Sequence, residues 1–82
     1  MFKNRTESGK NNIIGESVKR QRRSLKERPS QRKFAEMLQM SGLDIDKNAI
    51  QRIESGERFV TDIEIKVIAE VLDMTCDELL NA

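Results

Sequence analysis

The stretch SQRKFAEMLQMSGLDIDKNAIQRIESG, residues 30–56, decides how this chain folds. Ser30 stands where a helix N-cap belongs, with a hydroxyl that can accept a backbone N–H from the first turn. Behind it Phe34, Ala35 and Leu38, joined by Met37, recur at helical spacing and predict a helix over 30–40. Ser41-Gly42 ends that helix. Residues 42–45 form a connector whose Leu43 and Ile45 are expected to tuck into the core. Asp46 can then cap a further helix over about 47–55, with Ile50 and Ile53 inward and Gly56 as its C-terminal stop.

The pattern extends on both sides. Towards the N-terminus Ile14, Val18 and Leu25 recur at helical spacing with Arg22 on the same stripe, which predicts a helix of about 13–27 closed before Pro29. Its other faces carry Lys19, Arg20, Arg23 and Lys26. Residues 1–12 are polar, basic and without apolar period, so they read as a flexible basic arm, leaving 13–82 as the folded domain. Towards the C-terminus, Thr61 with Glu64 and Thr75 with Glu78 each form a capping box, in which hydroxyl and carboxylate satisfy each other's backbone N–H groups. They open a helix of about 61–73 and a short one of about 75–81. There is no strand alternation, repeat or Gly-rich phosphate loop. The expected fold is all-α: five short helices around one small core.

Length and composition narrow the function. The 82 residues hold 15 Lys plus Arg, 14 Asp plus Glu, one Cys and no His. That is less than one average domain of roughly 100–150 residues. Without His there is no Cys/His zinc cluster and no Ser-His-Asp or Cys-His catalysis within one chain. A lone thiol makes no intramolecular disulfide, and Cys76 is expected to be an inert packing residue. No segment resembles a signal peptide, and no apolar run approaches about 18 residues. The expectation is a cytoplasmic domain that is not an enzyme, with no cofactor, no metal, no membrane contact and no evident small-molecule ligand. Net charge is +1, yet residues 1–33 hold 11 basic against 3 acidic side chains (+8) and residues 34–82 hold 4 against 11 (−7). Such polarity suggests a basic face for an anionic partner, although a solvated basic tail would give the same count.

Two short helices joined by a turn, the second polar on its outer side, can form a helix-turn-helix, whose second helix suits the DNA major groove. From Ile14 to Leu80 the chain resembles the Cro/C1-type helix-turn-helix domains of phage repressors and the wider XRE family of bacterial regulators. The resemblance is carried by Ile14-Gly15, Val18 and Arg22, then Ser30-Gln31, Phe34-Ala35 and Leu38. It continues through Ile50, Ile53-Glu54, Gly56-Glu57-Arg58, Ile68-Ala69, Leu72 and Asp77-Glu78-Leu79-Leu80.

The resemblance implies a compact, lambda-repressor-like DNA-binding domain and a transcriptional regulator, a repressor that occupies an operator in double-stranded DNA. It places Lys47, Asn48, Gln51 and Arg52 at the base-contacting positions. Asn and Gln suit adenine, and Arg or Lys suits the O6/N7 edge of guanine. Gln31 would bond a phosphate, with Arg32, Arg58 and Arg23 as further backbone contacts. Arg22 and Glu54 would form a structural ion pair. The sequence departs from the family in the turn between the second and third helices, which is extended by about five residues, and in Gln39, which replaces the usual turn glycine. Ile63 and Val67 stand where the family is usually polar and, with Phe59 and Val60 nearby, mark a candidate homodimer surface. The alternative is a protein-interaction module on the same fold, such as an antitoxin-like partner.

Overall fold

Each helix of the computed structural model, which describes Thr6 and residues 8–81, begins at a side chain that accepts from its first turn. The five are α1 (Gly15–Ser24), α2 (Gln31–Met40), α3 (Lys47–Ser55), α4 (Asp62–Val71) and α5 (Cys76–Leu80). Ser30 Oγ accepts from Lys33 N at 3.1 Å and Asp46 Oδ1 from Ala49 N at 2.8 Å. Thr61 and Thr75 complete both expected capping boxes, with Glu64 and Glu78 returning to the cap N–H groups at 2.9 and 3.0 Å. Gly56 closes α3 in the left-handed region, φ 87°, where a side chain would be strained.

α1 differs from expectation at both ends. Its start is fixed at Gly15 by Asn12, whose Oδ1 accepts from Ile14 N at 3.1 Å and from Gly15 N at 2.8 Å. Its end comes at Ser24, because Leu25 turns to an extended backbone; Arg28, further along the loop, adopts φ 45°. The expected helix of 13–27 is therefore shortened to ten residues. α4 likewise stops at Val71, with Asp73 at φ 57° beyond it.

The core joins all five helices. Ile14 and Val18 of the α1 segment, Phe34 and Leu38 of α2, Ile50 and Ile53 of α3, Ile68 of α4 and Leu79 of α5 are each at most 1% exposed. At roughly 1.5–3 kcal/mol per fully buried aliphatic or aromatic side chain, this cluster is the main stabilising term. α3 packs against both α1 and α2. Gly15 lets α1 approach α3 closely: a Cβ there would collide with the carbonyl oxygens of Ile53 and Glu54. The radius of gyration, 12.1 Å, matches the value of about 12 Å for a compact chain of this length.

The extended turn between α2 and α3 is anchored, not loose. Ile45 is 4% exposed, Leu43 packs partly against the core, and Gln39 Nε2 donates to Ile45 O at 2.7 Å. Gln39 thus holds the longer turn from within, while Gly42, at φ 94°, bends the chain out of α2.

The folded unit also reaches beyond residue 13. Part of the expected arm, residues 1–5 and 7, lies outside the described residues, but Asn11 and Asn12 are docked on the end of α3. Asn12 Nδ2 donates to Ile53 O and Arg58 O, at 3.1 and 2.8 Å. Asn11 donates through its backbone to Gly56 O and through Nδ2 to Glu57 O, both at 2.8 Å. A helix C-terminus leaves carbonyls without partners, and these two residues supply donors, three from side chains and one from the backbone, to four carbonyls of the last turn and the loop. Cys76 is exposed, contrary to its expected packing role. No helix among the described residues is long and apolar enough to cross a membrane.

Candidate nucleic-acid interface

α3 divides its residues by face. Ile50, Ile53 and Glu54 are buried, whereas Lys47, Asn48, Gln51 and Arg52 are exposed, as the 3.6-residue period requires. Two shallow depressions flank that outer face. One lies between α2 and α3 and is lined by Arg32, Gln39, Asp46, Lys47 and Asn48, among others. The other is lined by Asn48, Gln51, Arg52, Ser55 and Glu57. Asn48 belongs to both, so the four expected base-contacting residues and Arg32 form one continuous polar surface. Asp46, the cap of α3, and Glu57 also line these depressions, although neither is expected from sequence to belong to the binding face. They make the surface mixed in charge rather than uniformly cationic.

The remaining expected backbone contacts are arranged differently. Arg23 lies on α1 in a separate basic patch with Lys19 and Arg20. Gln31 is half-buried, and its Nε2 donates to Glu54 Oε1 at 3.0 Å. Arg58 does not stand free in its loop. Its terminal nitrogens donate to both carboxylate oxygens of Glu64 at 2.9 Å, and Nη1 also reaches Phe59 O at 3.3 Å. Hydrogen bonding from Arg58 holds the Glu64 carboxyl below its ordinary range against the opposing effect of burial, with the Thr61 N–H assisting. The same hydrogen bond holds the Arg58 guanidinium above its ordinary value, reinforced by the negative charges of Glu64 and Asp46. A spacing of six residues carries no sequence signal for this pair.

Arg22 and Glu54 meet inside the protein. Arg22 Nε is 2.7 Å from Glu54 Oε2 and Nη2 is 3.0 Å from Oε1, with side chains only 9% and 3% exposed. Arg22 Nη1 donates to Pro29 O at 2.8 Å, so the pair ties α1, the loop before α2, and α3. Desolvation offsets much of the attraction in such a pair, but removing one partner alone costs about 3–5 kcal/mol. The pair therefore fixes how α3 sits against α1, and through that the direction of the polar face.

The expected self-association surface is reduced. Phe59 and Ile63 are 53% and 69% exposed, whereas Val60 and Val67 are half-buried and packed against the core. Val60 lines a separate apolar groove with Ile13, Ile65 and Leu80. Among the described residues no group of three or more Cys, Asp or Glu side chains is arranged to hold a metal ion.

Comparison with protein-family models, with curated proteins and with solved structures finds no match for this chain.

Proposed function

We propose that the protein is a sequence-specific double-stranded DNA-binding regulator, a repressor that acts by occupying its operator through a lambda-repressor-like helix-turn-helix. The observation that carries this reading is the outer face of α3, where Lys47, Asn48, Gln51 and Arg52 stand exposed together on a helix whose opposite face is locked into the core. A rigid helix bearing Asn, Gln and Arg is the geometry that direct major-groove readout needs. α2 crosses beside it with Arg32 on the shared surface, in the place of a backbone-positioning helix. Occupation of an operator excludes other proteins from it, and affinity comes mainly from neutralised phosphates.

Exposed Phe59 and Ile63 support a second element of the proposal, a homodimer. A two-fold pairing of copies would set two α3 helices in successive major grooves, roughly 34 Å apart.

Selection from random duplex DNA at two salt concentrations tests the reading, followed by variants. Gln51→Ala is expected to change base preference at one or two positions, and Gln31→Ala to weaken all sequences about equally. An absence of selected sequence, or uniform scaling by both variants, rejects the assignment. The antitoxin-like alternative predicts activity that survives changes at Asn48, Gln51 and Arg52.

A further inference from the structure

The side-chain amide of Gln31 is held by the carboxylate that also closes the buried ion pair. Glu54 Oε1 accepts from Arg22 Nη2 and from Gln31 Nε2, both at 3.0 Å, while Oε2 accepts from Arg22 Nε at 2.7 Å. The carboxylate is acceptor-only, so the amide can face it in one sense: nitrogen inward, oxygen away. The second hydrogen on Gln31 Nε2 is then fixed in direction by a group that is itself immobile, since Glu54 is 7% exposed and gripped at both oxygens.

We infer that Glu54 is a positioning residue for DNA binding: by fixing the Gln31 amide it presents an oriented N–H donor to a backbone phosphate at the start of α2. The inference rests on the DNA-binding reading proposed above. Glu54 makes no contact with DNA. It lies on α3, so the donor for the phosphate on α2 and the reading face of α3 share one anchor. An unconstrained glutamine would sample several rotamers and both amide flips before binding. Ordering it beforehand removes that cost from the association.

A double-mutant cycle tests the coupling. A hydrogen bond to a charged group corresponds to roughly 10-fold or more in affinity, so Gln31→Ala is expected to weaken duplex binding about 10-fold. Glu54→Gln, which puts an amide where Arg22 and Gln31 together need a carboxylate, is expected to weaken it about 3–10-fold more in the wild-type background than in the Gln31→Ala background, where only the anchoring of α3 is left to lose. Equal losses in both backgrounds overturn the inference and leave Glu54 purely structural. Glu54→Gln also disturbs a buried charge, so an amide-detected NMR titration of the unmodified protein supplies a second readout. One Gln31 amide proton, the one away from Glu54, is expected to shift on adding duplex DNA while its partner stays fixed. Equal shifts, or none in a protein that binds, overturn the inference. If the unmodified protein shows no salt-dependent binding to duplex DNA, the DNA-binding reading itself fails.

Discussion

Arg58 and Glu64 face each other as a two-pronged pair, guanidinium to carboxylate, with both bonds at 2.9 Å. The cation expected to reach for a phosphate therefore already has a counter-ion within the protein. Glu64 is also the carboxylate of the α4 capping box, accepting from Thr61 N at 2.9 Å. One side chain thus starts a helix and offsets a charge.

The two duties separate in Glu64→Gln, because glutamine serves a capping box as glutamate does. Stability is expected to fall by about 1 kcal/mol or less, as for a partly exposed pair. DNA affinity at low salt is expected to rise, and the slope of log K against log salt to steepen by about 0.9, the contribution of one further neutralised phosphate. Binding isotherms at several salt concentrations measure this, and an unchanged slope would show that Arg58 does not meet DNA.

Glu64 and Glu78 also set an acid limit. Both are held below their ordinary value of 4.5, Glu64 chiefly by Arg58 and Glu78 chiefly by the Thr75 N–H. A carboxyl lowered in the folded state contributes stability above its unfolded value, and loses it as pH falls through the folded value. The urea midpoint is therefore expected to be flat above about pH 6 and to decline from about pH 4.5 downward. Glu64→Gln is expected to make that decline shallower. Equally steep curves for both proteins would remove Glu64 from the account.

Gly15 tests the approach of α1 to α3. Alanine there favours the helix intrinsically but brings a Cβ against Ile53 O and Glu54 O. Overpacking is expected to win, at about 1–3 kcal/mol of destabilisation. Calorimetry should record a lower Tm for Gly15→Ala, and an unchanged or higher Tm would mean that the helices separate without cost.

Ile63→Lys tests pairing of copies. At 69% exposure the side chain can be replaced without opening the core, unlike Val67, which packs inward. The expected outcome is a folded monomer with weaker operator binding. Sedimentation velocity reads the mass directly, and an identical mass for wild type and variant excludes this surface.

Local chemistry made much of the fold legible in the sequence. Ser30, Asp46, Thr61 and Thr75 each announce a helix by a bond formed within three residues, and the starts of α2 to α5 follow from them. α1 was less legible, because Asn12 sets its start from two and three residues away while also reaching across to Ile53 of α3. Its end turns on Leu25, whose extended backbone stops the helix although nothing in the residue type signals a stop there. The polar face of α3 was legible as a period. The partners of Gln31 and Arg58 were not, since whether either side chain stands free depends on which carboxylate the packing brings beside it. Val67 shows the same limit for apolar residues, as a stripe on a helical wheel does not reveal how far a neighbouring element covers it.

The Asn12 seal spans 41 residues to Ile53 and 46 to Arg58. Synthesis at roughly 5–20 residues per second places the arrival of Arg58 about 2–9 s after Asn12. Until Ile53 is made Asn12 Nδ2 has neither acceptor, while its Oδ1 can already start α1 locally through Ile14 N and Gly15 N. The first-made part of the domain is thus tied down by one of the later ones, so a ribosome-bound chain cut short before residue 53 would hold the local Asn12 bonds that start α1 but neither distant acceptor of its amide nitrogen.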